Sequence, residues 1–168
     1  MLNSIIKYTG IFLVLLLIQV LLMDNIQFSG YVNPYIYVLF ILLLPIEIPS
    51  WLLLLLSFIS GFIIDLFSGI PGLHASATLV AGFTRPYILA FIAPREGYEQ
   101  GDSPGLKLYG LRWFLLYGAL MVLIHHITLF YLEVFRFEFF FMTLLRVLLS
   151  SLFSLIFILL IQSLIIKR

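Results

Sequence analysis

The chain has 168 residues, of which 63% are hydrophobic and 10% charged, and its nine Lys+Arg against eight Asp+Glu give a formal net charge of +1. Soluble domains carry about 25% charge and about 45–50% apolar residues. A soluble enzyme, a disordered chain and a nucleic-acid binder are therefore excluded, and the absence of cysteine removes disulfides, thiolate catalysis and Cys-ligated zinc.

What remains is an all-α integral membrane protein. One helical crossing takes about 20 apolar residues, so six would use roughly 120 and leave only loops and ends. The chain thus reads as a single polytopic domain, 1–168, with no internal repeat and no soluble domain. The first span covers about 5–23 and is read as uncleaved, because Asp24-Asn25 follows instead of a small-x-small site. The second, about 35–48, is short and lies between Pro34 and the Pro45–Pro49 stretch. About 12 helical residues reach only about 18 Å. This segment is a half-span, a tilted helix in thinned bilayer, or a helix extended at its ends by irregular backbone. Spans of adequate length follow at about 51–67, 73–92 (interrupted at Arg85-Pro86), 108–132 and 139–166. The hydrophilic stretch Pro94–Lys107 has three glycines, two prolines and five charges, and reads as a solvated connector.

Lys/Arg bias sets orientation. With six spans both termini share a side, which collects Lys7, Arg85, Arg95, Lys107, Arg112, Lys167 and Arg168, whereas the other side receives Arg136. Both termini are therefore expected in the cytoplasm. Aromatic residues around 130–141 suit an interfacial belt on the opposite face.

Polar side chains at membrane depth need a partner or a task. Ser57, Gly61 and Asp65 recur at i, i+4, i+8 on one face of the third span, with Ser60 beside them. His74, Thr78, Gly82 and Arg85 line one face of the fourth span, and Thr143, Arg146, Ser150 and Ser154 one face of the sixth. Small and polar stripes of this kind suit close helix packing in lipid. Asp65 and Arg146 lie at similar depth, and the long arginine side chain suggests an ion pair between them. Such a pair serves equally as internal glue. A proton path would need more than one intramembrane acid. His125 and His126 are adjacent and point about 100° apart, which disfavours a shared metal. Ser68-Gly69-Ile70-Pro71-Gly72 is a tight reversal, and no Gly-Lys-Ser/Thr follows it to cradle phosphate. No HExxH, GxSxG or paired intramembrane aspartates occur. No catalytic set, cofactor site or metal site is expected.

Asn33-Pro34-Tyr35 heads an apolar run to Pro45, and Gly61, Asp65, Ser68, Gly72 and Ala75 fit a G-x-x-x-D-L-x-S/G-x-x-x-G-x-x-A pattern. These features resemble the rod shape-determining MreD family. The specific motif covers about 33–75, and the outline covers about 5–168. His74 and Arg85-Pro86 are departures from it. The resemblance implies a bacterial inner-membrane protein of the cell-elongation machinery, similar in fold to the six-helix substrate-binding subunits of energy-coupling-factor vitamin importers. It implies binding to MreC, a single-span protein, and through it links to MreB, a RodA-type glycosyltransferase and a penicillin-binding transpeptidase. It implies no catalysis and no nucleic acid. The contact region expected on this basis comprises Gly61, Asp65, Ser68, Gly72 and His74 with Arg146 on the sixth span. Asp65→Ala would then break partner binding without loss of protein. The main alternative is an importer subunit, against which the first span counts because it lacks alanine. A membrane enzyme ranks last.

Overall fold

The computed structural model describes residues 2–23, 32–99, 101–135 and 139–166. Among these residues six helical elements occur: α1 (Leu2–Ile18), α2 (Leu39–Leu43), α3 (Ser50–Ser68), α4 (Leu73–Phe91), α5 (Leu106–Val134, kinked at Gly110) and α6 (Phe140–Ile166). One π-helical turn, Gln19–Met23, continues α1. Apart from an isolated bridge residue at Val32, the described residues contain no β-structure. Among the described residues four segments are long and apolar enough to cross a membrane: Ile6–Met23, Ser50–Ser68, Leu106–Val134 and Phe140–Ile165. The protein is therefore an all-α, multi-pass membrane protein. Helix α4 matches α3 in length at 19 residues. Its inward polar residues lower its apolarity.

The second expected span differs most from a regular helix. Only Leu39–Leu43 is helical. Pro34 and Pro45 bracket it. Leu44, which precedes Pro45, takes φ −59° and ψ 150°, the extended geometry that a following proline imposes. Every residue from Ile36 to Leu44 is buried. Non-helical backbone survives at membrane depth only when protein surrounds it. Residues 32–46 therefore form a central strut enclosed by the other helices. The segment is a short helix with irregular backbone at both ends.

Hydrogen bonds fix how the strut runs. Asn33 N–H donates to Ser150 Oγ at 3.1 Å and Tyr35 N–H to Ser154 Oγ at 2.8 Å, both on α6. At its other end Ile46 N–H donates to the Asp102 carbonyl at 2.9 Å. Tyr8 near the start of α1 contacts Ser103 at 2.6 Å, and Gln162 near the end of α6 accepts from Leu106 N–H at 3.4 Å. The first and last described helices therefore begin and finish at the same end of the bundle, beside Pro45. The Gly69–Gly72 turn lies at the other end.

Consecutive helices α3, α4, α5 and α6 pack side by side. The α3–α4 pair is close because its stripe residues are small. A Cβ on Gly61 would lie 2.6 Å from Ala75 Cα, and one on Gly82 would lie 2.8 Å from Ser57 Cβ. Ser57 and Ser60 turn their hydroxyls to their own helix, toward the Leu53 and Ser57 carbonyls at 2.7 and 2.9 Å. The stripe on α3 therefore works by shape, as small-residue packing in lipid does.

Three sequence expectations change. Helix α4 runs unbroken through Arg85-Pro86, with Pro86 inside it; proline removes one N–H donor, and the surrounding helices hold the rest. Arg85 is 1% exposed, so it belongs to the core and not to a basic loop. The 94–105 loop is tied down rather than freely solvated. Tyr98 Oη donates to the Leu89 carbonyl at 2.7 Å, Trp113 Nε1 donates to the Ile92 carbonyl at 3.0 Å, and Tyr109 Oη donates to Asp102. Burial pushes the Tyr98 phenol up from its usual range, which keeps it a donor. Asp24-Asn25, Arg136, Phe137 and Lys167-Arg168, to which the sequence assigned span ends and orientation, lie outside the described residues.

Candidate functional site

The buried polar groups form two layers around the strut. The larger begins at the α3–α4 turn. Gly69 and Gly72 take φ of +71° and +89°, which lets the chain reverse within four residues. The reversal brings the last turn of α3 over the first turn of α4. Asp65, 2% exposed, then acts as a cap supplied from the neighbouring helix. Its Oδ2 accepts from the N–H groups of Gly72 at 2.9 Å and Ala75 at 3.0 Å. Its Oδ1 accepts from His74 N–H at 2.8 Å and His74 Nδ1 at 2.9 Å. A carboxylate here satisfies orphan amides and sits at the positive end of the helix dipole.

The predicted Asp65–Arg146 pair does not form. Asp65 is closed off by its four donors. Arg146 pairs with Glu133 at 2.9 Å and lies 4.3 Å from the Phe130 ring centroid. With the Asn33 amide oriented to satisfy its neighbours, Asn33 Oδ1 accepts from Arg146 Nη2 at 2.8 Å. Of the six predicted site residues, Gly61, Asp65, Ser68, Gly72 and His74 meet at one corner, and Arg146 belongs to a separate group at the head of the strut. Ser68 turns its hydroxyl back to the Ile64 carbonyl at 3.1 Å.

From the corner the network reaches inward through Tyr37. Thr78 Oγ1 donates to the His74 carbonyl at 2.7 Å. With its hydrogen so placed, Thr78 Oγ1 accepts from Tyr37 Oη at 3.0 Å. Tyr37 Oη, 2.7 Å from His125 Nε2, in turn accepts from that nitrogen. His125 is thereby assigned as the Nε2–H tautomer, and its buried Nδ1 is a bare acceptor with no partner among the described residues. His126 points elsewhere, as adjacent helical positions require. Its Nδ1 donates to the Val122 carbonyl at 2.8 Å, and its Nε2 accepts from Ser154 Oγ at 3.0 Å. The same Ser154 oxygen receives Tyr35 N–H. Gln19 completes the ring: its Nε2 donates to the Pro34 carbonyl at 3.2 Å, and its Oε1 accepts from Ile36 N–H at 2.8 Å. The π-helical turn begins at this glutamine.

The second layer centres on Arg85. Its Nε donates to Tyr117 Oη at 2.9 Å, its Nη1 to the Pro45 carbonyl at 3.3 Å, and its Nη2 to the Leu44 carbonyl. Tyr117 Oη donates on to the Leu42 carbonyl at 3.2 Å. The guanidinium thus closes the carbonyl end of α2, where a cation is favoured. Among the described residues it has no carboxylate partner. Its planar fork suits several carbonyls at once.

Chemically, this arrangement holds backbone. Among the described residues, no three His, Asp or Glu side chains come together as metal ligands. Sequence reasoning missed Gln19, Tyr35, Tyr37 and Tyr117. Two signals were present. Gln19 is the single amide within an aliphatic run, and Asn33, Tyr35 and Tyr37 alternate at the strand period, which aligns them when the backbone is extended.

No family model, curated protein or solved structure matches this chain.

Proposed function

We propose that the protein is a non-catalytic membrane scaffold of the bacterial cell-elongation machinery, as the resemblance to the MreD family implies. It crosses the inner membrane six times, with α4 and the strut as two of the crossings and both termini in the cytoplasm. The bundle is similar in kind to energy-coupling-factor substrate-binding subunits. It binds an MreC-like single-span protein and so couples MreB inside to a RodA-type glycosyltransferase and a penicillin-binding transpeptidase outside.

The observation that carries this reading is the commitment of the buried ionisable groups to each other and to the strut. Asp65, His74, His126 and Arg85 are all hydrogen-bonded internally, and His125 binds Tyr37. A chain built this way meets partners through its apolar exterior. At the α3–α4 corner Leu66, Phe67 and Ile70 are exposed. They replace the buried Asp65 as the contact face of that corner.

Affinity capture of tagged protein from native membranes in mild detergent, with mass spectrometry, tests the reading. The expected result is recovery of a single-span protein with a periplasmic coiled coil, together with wall-synthesis enzymes, and loss of that recovery in Phe67→Glu. Recovery of ATPase subunits or a bound vitamin-sized molecule would replace the scaffold with an importer subunit.

A further inference from the structure

A lateral groove of about 690 Å³ opens between α1 and α3 at the Pro45 end of the bundle. Phe12 forms one wall, Leu52 and Leu56 the other, and Phe40, Leu44 and Pro45 of the strut the floor. The volume falls within the range of built ligand sites, about 300–1,000 Å³. It holds a few large side chains or one acyl chain.

The rim carries one carboxylate. Glu47 lines the groove and is exposed. Lys7 Nζ lies 5.2 Å from the ring centroid of Tyr8, another lining residue. Neither Glu47 nor Lys7 forms an ion pair among the described residues. Glu47 precedes α3 by three positions, and Lys7 lies near the start of the first apolar span. Both therefore sit at headgroup level on the leaflet that faces this end.

We propose that the groove is a binding site for one phospholipid with a primary-amine zwitterionic headgroup, the phosphatidylethanolamine class. An acyl chain fills the apolar cleft, and the ammonium meets Glu47. An anionic headgroup would place net negative charge beside Glu47. A choline headgroup has no N–H to donate to the carboxylate. The assignment is independent of the partner proposed above.

The test uses the full chain reconstituted in vesicles of equal phosphatidylethanolamine, phosphatidylglycerol and phosphatidylcholine, with a trace of either of the first two carrying a photoreactive acyl chain. Labelled peptides are mapped by mass spectrometry. The expected result is labelling of Phe12, Leu52 and Leu56 by the ethanolamine lipid about fivefold above labelling of Leu13 and Leu17 on the exposed face of α1, and about fivefold above the glycerol lipid at the same sites, the size of one exposed ion pair. Glu47→Lys reverses the headgroup preference. Leu56→Trp fills the cleft and removes the label while the melting temperature is unchanged. Even labelling around the bundle, or labelling indifferent to headgroup, overturns the proposal. So does photocrosslinking in native membranes that joins the groove to another protein.

Discussion

Replacing Arg85 by leucine lowers stability by about 3–5 kcal/mol, read as a fall in the melting temperature of the detergent-solubilised protein. Two terms oppose each other. Burying a guanidinium with no carboxylate partner is costly, and leucine relieves that cost. Leucine also leaves the Leu44 and Pro45 carbonyls and the Tyr117 hydroxyl short of a donor, at about 1–3 kcal/mol for each buried unpaired group. The second term wins because the strut is irregular at this point and its carbonyls have no helical partner to return to. Arg85→Lys keeps the charge and recovers less than half of the loss, because an ammonium does not span two carbonyls and a phenol in one plane. An unchanged melting temperature in Arg85→Leu would contradict this role.

Asp65→Ala has an effect of the same order, about 3–5 kcal/mol, for a different reason. Four donors converge on this carboxylate, and three of them are backbone N–H groups at the α3–α4 turn and the start of α4. Alanine leaves them facing a dry corner, and α4 loses both its cap and the charge at its positive end. Asp65→Asn retains one acceptor oxygen and turns an NH₂ toward existing donors, so it recovers little. The checking measurement is the amount of protein in membranes alongside its thermal unfolding. Both fall together. This reverses the expectation drawn from sequence, in which Asp65→Ala spared the protein and removed the partner. Normal protein level with normal melting temperature in Asp65→Ala would contradict the capping role.

Composition and periodicity made the helices legible. The long apolar runs became α1, α3, α5 and α6, and the small-residue faces of α3 and α4 do meet, with Gly61 against Ala75. The i, i+4, i+8 spacing placed Asp65 on the buried face correctly. Its partner was misassigned because equal depth does not bring two side chains together. The nearest donors are supplied by the reversal of the chain at Gly69–Gly72, a local event that overrides an approximate depth match to α6. Arg85 was placed correctly on the polar face of the fourth span, but it was also counted among the cytoplasmic cations because the proline after it suggested a break. In fact the helix continues and carries the side chain under the strut. The strut itself was least legible. Its polar neighbours come from α1, α4, α5 and α6 at sequence separations of up to 119 residues, and no local pattern reports contacts that distant. Only the alternation of Asn33, Tyr35 and Tyr37 hinted at extended backbone.

Residues 32–46 thread the interior, and the polar groups of the bundle hold them there. Because the chain has no cysteine, single cysteines can be placed along it without altering the background. Cysteines at Leu39, Ile41 and Leu42 are expected to resist both water-soluble and membrane-permeant maleimides in intact membranes, and to react only after unfolding. A cysteine at Glu47 reacts readily with the water-soluble reagent. Rapid labelling of Leu39, Ile41 or Leu42 by the permeant reagent in the folded protein would open the segment to water and contradict the account.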